Sequence, residues 1–236
     1  MGKGNVYLIP AILHEEALET IPSYIPDYVK DCQVFFVEND KTARRFLKKI
    51  WKEMVIDDYQ WFIIHKAETE VMQSFLQLLN AGKNIGIISE AGCPGVADPG
   101  QILVQAAQQV NITVKPLVGP NSILLALMAS GMNGQCFQFN GYLPIDSLER
   151  KKKIKELEAD SQKRNCTQIF IETPYRNNPL IKDILETCRE ETHICIAVDI
   201  TGPTETIRTQ TVKNWKAKVP DIHKRLAIFL LQGRIN

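Results

Sequence analysis

The sequence predicts a two-domain α/β protein, with a parallel-sheet N-terminal domain at residues 1–118 and a mixed-sheet α+β C-terminal domain at residues 119–236. Strand-length apolar runs alternate with helical periodicity, the order typical of a sheet covered by helices on both faces. The segment TGPTETIRTQTVKNW interrupts this order in the second half, because it has no helical period. A length of 236 residues suits one large domain or two of ordinary size, and we place the junction near PLVGPNS.

The first half of the chain is predicted to hold five strands and three helices. The strands are NVYLIPA, QVFFVEND, DYQWFIIH, NIGIISE and ITVKPLVGP. Val34–Val37 illustrates the pattern, a compact β-branched and aromatic run closed by Asn and Asp. The helices are TARRFLKKIWKEM, ETEVMQSFLQLLNAGK and GQILVQAAQQVN. The first helix carries an apolar stripe of Phe46, Leu47, Ile50 and Met54, and Gly82 closes the second.

The second half is predicted to begin with a helix, NSILLALMASGM, capped by Asn121 or Ser122. Further strands are predicted at QCFQFNGYLP, CTQIFIETP, THICIAVDIT and RLAIFLLQ, and further helices at KKKIKELEADSQK and RNNPLIKDILETCRE. Strands and helices still alternate here, but less regularly than before, which indicates an α+β domain.

Composition indicates a soluble globular protein without a global field for nucleic acid or acidic membranes. Hydrophobic residues make up 44% and charged residues 23% of the chain, and the net charge is +1. An anionic partner must therefore meet a local basic patch. The first residues are too polar for a signal peptide, and no run approaches the ~20 apolar residues of a membrane span. Six scattered cysteines without a CxxC pair suggest reduced thiols, so we predict a cytoplasmic protein with no membrane contact and no metal.

The stretch IGIISEAGCPGVADPG, residues 85–100, is the main candidate for a ligand site. A strand ends there in a loop of small residues, which lets a ligand approach the main chain closely. The chain has no GxGxxG after the first strand and no GxxxxGK[ST], and Glu90 and Asp98 would repel a phosphate. A cationic or neutral polar ligand suits the loop better, and S-adenosylmethionine carries a sulfonium and an ammonium group. The alternative is a glycine-rich turn that binds nothing.

Several motifs, taken in their order and spacing, resemble the tetrapyrrole-methylase superfamily, and especially its branch of ribosomal small-subunit RNA cytidine 2′-O-ribose methyltransferases. The matching stretches are LIP at residues 8–10, SEAGCPGVADPG at 89–100, VGP at 118–120, GYLP at 141–144 and ETPYR at 172–176. The similarity runs over most of the chain, from Gly4 to about Gln232. It implies a tetrapyrrole-methylase-like fold, S-adenosylmethionine bound in the cleft between the domains, and a homodimer.

Carried over by position, the resemblance also implies a set of cofactor-binding residues. Pro10, Cys93 and Val96 would line the methionine side, with Gly92 in the cleared loop, and Asn121 and Ser122 would touch the cofactor after the junction. Thr173, Asp199, Ala227 and Ile228 would close the adenosine pocket. Two roles stay open for Glu90 and Asp98: contact with the positive end of the ligand, or capping of helices and turns.

The chain departs from the branch after its first two strands. Pro-Thr-Pro-Ile-Gly-Asn is replaced by PAILHE at residues 10–15, Glu-Asp-Thr-Arg by ENDK at residues 38–41, and a threonine by Cys93. One acid and one base survive in the second motif, so Glu38 and Lys41 are the candidate catalytic residues. Glu38 would take the proton of a ribose hydroxyl, and Lys41 would stabilise the developing alkoxide. The alternative is a helix cap and a solvated lysine.

An RNA acceptor requires local basicity, because neutralised phosphates supply most of the affinity. Six basic residues and no acid lie between Lys41 and Lys52, several of them on one helical face. The run from Glu149 to Asn165 has seven basic residues against four acids and is predicted to be a solvated face.

We therefore predict an S-adenosylmethionine-dependent methyltransferase that 2′-O-methylates a ribose in small-subunit ribosomal RNA. The alternatives are a small-molecule methylase of the tetrapyrrole or diphthine-forming type and a non-enzymatic binding module.

Overall fold

Two five-stranded sheets organise the part of the chain that the structure describes, one in each of two compact units, Met1–Asn121 and Ser122–Asn236. The computed structural model describes residues 2–64 and 68–233, with only the main chain of Glu68. His65, which ends the predicted third strand, lies outside these residues. The division between the units falls after Asn121, three residues beyond the predicted boundary at residue 118. A helix begins at the next residue, Ser122.

The first unit is a parallel α/β sheet. Its elements are β1 Val6–Leu8, α1 Ile25–Asp31, β2 Val34–Val37, α2 Asp40–Ile50, β3 Gln60–Ile63, α3 Glu68–Asn80, β4 Ile85–Ile88, α4 Gln101–Gln109 and β5 Val114–Pro116. The strand order is β3-β2-β4-β1-β5, and every neighbouring pair in it is parallel. The predicted parallel sheet of the N-terminal half is confirmed.

The two faces of this sheet bury different side chains, because successive residues of a strand point to opposite sides. On one face, Phe35 of β2 shares an apolar cluster with Leu47 of α2 and with residues of α1. On the other face, the adjacent Phe36 clusters with Phe75 of α3 and Leu103 of α4. Both β2 phenylalanines are fully buried, and each burial contributes about 2–3 kcal/mol. Packing on both faces fixes the strands, and therefore the loops at their carboxyl ends.

The second unit contains a mixed sheet, as predicted. Its elements are α5 Ser122–Ser130, β6 Phe137–Tyr142, α6 Ser147–Arg164, β7 Thr167–Ile171, α7 Asn177–Thr187, β8 His193–Val198, β9 Thr206–Thr211, α8 Val212–Ala217 and β10 Ala227–Gln232. The strand order is β6-β7-β10-β8-β9. β6 and β7 are parallel, whereas the other neighbouring pairs are antiparallel.

Helix α6 is less solvated than its charged sequence predicts. The side chains of Arg150 on α6 and Asp183 on α7 are each 5% exposed, and Arg150 Nε donates to Asp183 Oδ2 at 2.7 Å. Glu158 of α6 is also buried and accepts the main-chain N–H of Arg189 at 2.9 Å. Buried charges persist where partners compensate their lost hydration. These bonds therefore attach α6 to α7 and to the segment that follows α7.

Three elements have no counterpart in the sequence predictions. α1 is a helix of seven residues, and Ile25 and Val29 are its buried positions. β9 has polar residues on both faces, which suits a strand at the edge of a sheet. α8 follows it directly, with the Thr211 hydroxyl capping its first turn. Met54, predicted to lie on the apolar stripe of α2, is buried but lies beyond the end of that helix. None of the helices in the described ranges has the length and apolarity needed to cross a bilayer.

Candidate functional site

The carboxyl ends of the strands in the first unit lie at one edge of the parallel sheet. The connection after β1 leads to α1 on one face, and the connection after β4 leads to α4 on the other face. Because β1 and β4 are neighbours, the chain diverges between them and leaves a crevice of the kind in which α/β proteins bind ligands. The segments at this edge carry the predicted residues Pro10, Glu38, Lys41, Glu90, Gly92, Cys93, Val96 and Asn121.

The loop after β4 adopts a backbone that suits small residues. Gly92 and Gly100 have φ angles of +70° and +115°, in the region that favours glycine. Ala97 has a φ of +63°, which costs a residue with a Cβ about 1–2 kcal/mol. The Gly95 N–H donates to the Pro99 carbonyl at 3.1 Å and closes the loop. Backbone strain such as that at Ala97 is concentrated at functional sites, which supports the predicted ligand role of this loop.

Close main-chain contacts join this loop to its neighbours. Ala11, after β1, and Gly92 form an antiparallel bridge, with N–O distances of 2.8 and 3.1 Å. Gly119, after β5, lies against Pro10, so closely that a Cβ at Gly119 would be 2.1 Å from the Pro10 Cβ. The segments after β1, β4 and β5 therefore form one packed surface, with glycine required at the Gly119 contact.

Glu38 connects the segment after β2 to the same loop. Its Oε2 accepts the main-chain N–H of Glu90 at 2.9 Å, and its own N–H donates to the Ile88 carbonyl at 3.1 Å. The adjacent Asn39 is the N-cap of α2, since its Oδ1 accepts the N–H groups of Lys41 and Thr42 at 3.1 and 3.3 Å. The capping role that the sequence left open for this motif thus belongs to Asn39. Glu38 and the exposed Lys41 stay candidates for catalysis.

Asp98 has a pKa raised to about 6. Desolvation by burial is the largest cause, and the carboxylates of Glu38 and Glu90 raise the pKa further, while a hydrogen bond with Ser89 lowers it. Three acids therefore act on one small region beside the glycine loop. A cation bound there would relieve their mutual repulsion, whereas an anion would add to it.

The Cys93 thiol faces main-chain carbonyls. Its Sγ is 3.5 Å from the Pro120 oxygen and 3.9 Å from the Gly119 oxygen. Burial raises the pKa of Cys93, Asp98 raises it further, and a hydrogen bond with Asn121 lowers it. A thiol with a raised pKa is a poor nucleophile, so Cys93 is suited to shaping the loop. The exposed Val96 belongs to the same loop.

The basic residues of α2 divide into two groups. Arg44 forms an ion pair with Asp40 at 2.6 Å and lies over the Trp61 ring at 4.9 Å, and the Lys48 ammonium donates to the Met54 carbonyl at 2.9 Å. The side chains of Arg44 and Lys48 are thus engaged within the protein. Three others lie four residues apart along an exposed face of the helix, which we call the α2 basic face: Lys41, Arg45 and Lys49. Arg45 and Lys49 make exposed bonds to Glu15, whereas Lys52 lies beyond the end of the helix.

A pocket of about 150 Å³ borders the α2 basic face within the first unit. Its walls include Ile12, Leu13 and Phe46, and its rim includes Glu15, Thr42, Arg45, Lys49 and Glu90. Arg45 Nη2 lies 3.2 Å from Glu15 Oε1 in an exposed ion pair. Sequence reasoning did not single out Thr42 or Glu15. The regular spacing of Lys41, Arg45 and Lys49 predicts one helix face, but no local pattern places that face beside the segment after β1.

The structure also brings most of the predicted residues of the second unit to one edge of its sheet. Ile171, at the end of β7, pairs with Ile228, and Val198, at the end of β8, pairs with Ala227. Thr173 and Asp199 follow these strands, whereas Ser122 begins α5.

Asp199 is engaged by hydrogen bonds within the second unit. Its Oδ2 accepts from Arg225 Nε at 2.8 Å and from the Thr204 hydroxyl at 2.7 Å. These hydrogen bonds and the Arg225 charge outweigh burial and lower the pKa of Asp199. A cofactor role for these five residues (Ser122, Thr173, Asp199, Ala227 and Ile228) stays a prediction.

Comparison with known sequences matches residues 14–215 to the family model described as Tetrapyrrole (Corrin/Porphyrin) Methylases. A protein named ribosomal RNA small subunit methyltransferase I from Haemophilus influenzae is 33% identical over 178 residues, which cover 74% of this chain and 62% of that protein. The protein of the same name from Vibrio cholerae is 33% identical over 169 residues, covering 70% and 57%. The matched part of the chain thus spans about six tenths of the length of these relatives.

Comparison with solved structures identifies the fold. A crystal structure of the methyltransferase CobJ has a TM-score of 0.61 and 14% identity, covering all of this chain and 98% of that one. A uroporphyrin-III-C-methyltransferase from Thermus thermophilus has a TM-score of 0.55 and 16% identity, covering 97% and 92%. At such low identity, these likenesses show the fold alone, and they confirm the predicted fold class.

Proposed function

Because the chain belongs to the tetrapyrrole (corrin/porphyrin) methylase family, we propose that it is an S-adenosylmethionine-dependent methyltransferase that acts on small-subunit ribosomal RNA. The family supports methyl transfer, and the names of the two bacterial relatives support the acceptor. The motifs at residues 89–100, 118–120 and 141–144 support the finer proposal that the accepting group is a ribose 2′-hydroxyl. The resemblance also supports a homodimer, and the scattered cysteines support a cytoplasmic location.

The acidic loop after β4 is the observation that carries the cofactor assignment. Glu38, Glu90 and Asp98 favour a cation and disfavour a phosphate-bearing cofactor. The backbone at Gly92 offers no side chain to obstruct a ligand. Both features suit S-adenosylmethionine, which supplies an electrophilic methyl group when bound. Pro10, Glu90, Gly92, Cys93, Val96 and Asn121 are the residues of the first unit that would hold it.

Glu38 and Lys41 are the residues that we propose for the chemical step. Methyl transfer is an in-line displacement, so the protein contributes mainly by positioning the reactants. Glu38 is held beside the loop by its bond to the Glu90 N–H and would take the proton of the attacking hydroxyl. Lys41, exposed on the first turn of α2, would stabilise the negative charge that develops on that oxygen.

The α2 basic face is the proposed contact for RNA. Its three charges, on Lys41, Arg45 and Lys49, are spaced along one side of a helix and can neutralise successive phosphates. The bonds of Arg45 and Lys49 to Glu15 are exposed, whereas Arg44 is held by Asp40 and Trp61 and Lys48 by the part-buried Met54 carbonyl. We therefore assign Arg44 and Lys48 no part in this contact. Lys41 would then serve both the phosphate contact and the reaction.

Two measurements on the full chain test the proposal. Calorimetric titration with S-adenosylmethionine should show stoichiometric binding, and an absence of binding would favour a non-enzymatic module. Transfer of a labelled methyl group should then occur to isolated small ribosomal subunits and not to uroporphyrinogen or to a diphthamide-precursor protein. Transfer to either of those acceptors alone would replace the RNA proposal with the corresponding alternative.

A further inference from the structure

Two cysteines of the second unit lie opposite each other on neighbouring strands. Phe137 of β6 pairs in parallel with Thr167 of β7, and the Thr167 N–H donates to the Cys136 carbonyl at 2.9 Å. In a parallel ladder, this bonding pattern places the two preceding residues, Cys136 and Cys166, side by side. Neighbouring strands are about 4.8 Å apart, which lies within the Cα separation of roughly 4.4–6.8 Å that a disulfide spans.

The two thiols differ in their access to solvent. Cys136 is half-buried, whereas Cys166 is fully buried. Burial raises the pKa of Cys166 to about 11, and a hydrogen bond with the Cys136 thiol contributes to the rise, which indicates that the two sulfurs face each other. The thiolate is the reactive form of cysteine. A dissolved reagent therefore reaches the thiol of Cys136 more readily than the buried thiol of Cys166.

We propose that Cys136 and Cys166 form a reversible dithiol–disulfide site that is oxidised by small disulfides of the glutathione class. The Cys136 thiolate attacks one sulfur of the small disulfide, which forms a mixed disulfide and releases one glutathione thiolate. The Cys166 thiolate then attacks the Cys136 sulfur and releases the second glutathione thiolate. The two protein thiols are oxidised, the small disulfide is reduced to two thiols, and the two protons pass to the leaving thiolates.

The cross-link would join the edge strand β6 to β7 and close the loop that contains α6. It lies at the amino end of β7, whereas Thr173 follows the carboxyl end, roughly 20 Å further along the strand. We therefore expect oxidation to stabilise the fold without changing affinity for S-adenosylmethionine. The proposal does not depend on the proposed methyltransferase function.

Peptide mapping of the full chain after exposure to oxidised glutathione tests the site. The oxidised protein should contain one peptide pair joined through Cys136 and Cys166 and two fewer alkylated cysteines than the reduced protein. Its thermal midpoint should rise by about 10 °C, the scale expected for closing a loop of this length, and dithiothreitol should reverse the rise.

Three serine variants make the test specific. Cys136→Ser should leave Cys166 unmodified, and Cys166→Ser should stop at the glutathione adduct on Cys136. Cys195→Ser removes a buried cysteine of β8 whose thiol bonds to Thr209, and it should leave the cross-link intact. The proposal is overturned if all six cysteines of the oxidised wild type remain alkylated, if the adduct on Cys136 persists without a cross-link, or if Cys136 joins another cysteine.

Discussion

Glu38 combines a structural hydrogen bond with a negative charge, and substitution can separate the two. Glu38→Gln keeps an oxygen that accepts the Glu90 N–H but removes the charge, whereas Glu38→Ala removes both. If Glu38 is the general base, Glu38→Gln should slow single-turnover methylation by about 10²–10⁴-fold, with saturating acceptor used to isolate the chemical step. A wild-type rate in Glu38→Gln together with a slow Glu38→Ala would reduce Glu38 to a structural connection.

Asp98 should give cofactor binding a pH dependence. Its pKa is raised to about 6 in the free protein, and a bound cation would favour the ionised form and lower that pKa. Affinity for S-adenosylmethionine should therefore increase with pH, by up to about tenfold per unit, and level off above pH 6. Calorimetry between pH 5 and 8 measures the profile, and Asp98→Asn should flatten it.

Folding of the unliganded protein supplies the control for Asp98. The pKa is raised above its unfolded value, so the ionised carboxylate costs stability above pH 6 and nothing below about pH 4. Asp98→Asn should therefore be more stable than the wild type at pH 7 and equal to it at pH 4. A flat binding profile in a wild type that shows this stability difference would place the bound cation away from Asp98.

Gly119 should tolerate no side chain. A methyl group there would meet the Pro10 Cβ at 2.1 Å and Cγ at 2.4 Å, so the segments after β1 and β5 would have to separate. We expect Gly119→Ala to cost about 1–3 kcal/mol in urea unfolding and to weaken cofactor binding. Gly134→Ala is the matched control, because a methyl group there meets nothing within 4 Å. Equal stability of the two variants would contradict the close contact.

At the scale of elements, the α2 basic face should determine how strongly RNA binding depends on salt concentration. Changing Lys41, Arg45 and Lys49 to Gln together should weaken RNA binding and reduce its dependence on salt concentration, while affinity for S-adenosylmethionine stays unchanged. The control removes the same charge from the exposed positions Lys152, Lys155 and Lys163 of α6. An equal loss of RNA affinity in both triple variants would show an effect of net charge without a local contact.

Elements were predictable where burial imposed a pattern. β2 and β4 are continuous apolar runs because both faces of the sheet are covered, and such runs predict buried strands. β9, TIRTQT, lies at an edge and carries polar residues on both faces, so no apolar pattern marks it. α1 presents two buried residues, Ile25 and Val29, in seven positions, too short a run for periodicity to stand out.

The local features of the candidate site were predictable from the sequence, whereas its long-range contacts were not. Glycines and acids in one continuous loop, residues 89–100, are visible in sequence because they are local. The bond between Glu38 and Glu90 joins residues that are 52 positions apart, and β2 and β4 become neighbours only through the strand order. The same holds for Pro10 and Gly119. Contacts of this kind follow from topology, which the local pattern does not specify.

At the scale of the whole molecule, each unit has its own apolar cores. The clusters of the first unit and the cluster of the second share no residue among those described. Ile85→Val and Ile196→Val, one in each unit, should each cost about 0.5–1.5 kcal/mol in the unit that contains it. The double variant should equal their sum within about 0.5 kcal/mol in urea unfolding. Ile85→Val with Leu79→Ala, two members of one cluster, is the comparison in which coupling is expected.

The strand order of the first sheet has a consequence for synthesis on the ribosome. β1 lies between β4 and β5, which are the last strands of the unit to be made. Residues 6–8 therefore leave the ribosome long before Ile85, their first pairing partner, and at 5–20 residues per second the interval is roughly 4–16 s. β2 and β3, whose paired residues Phe36 and Phe62 are 26 positions apart, can associate earlier. β1 thus stays an unpaired apolar segment until the loop that carries Gly92 has almost emerged.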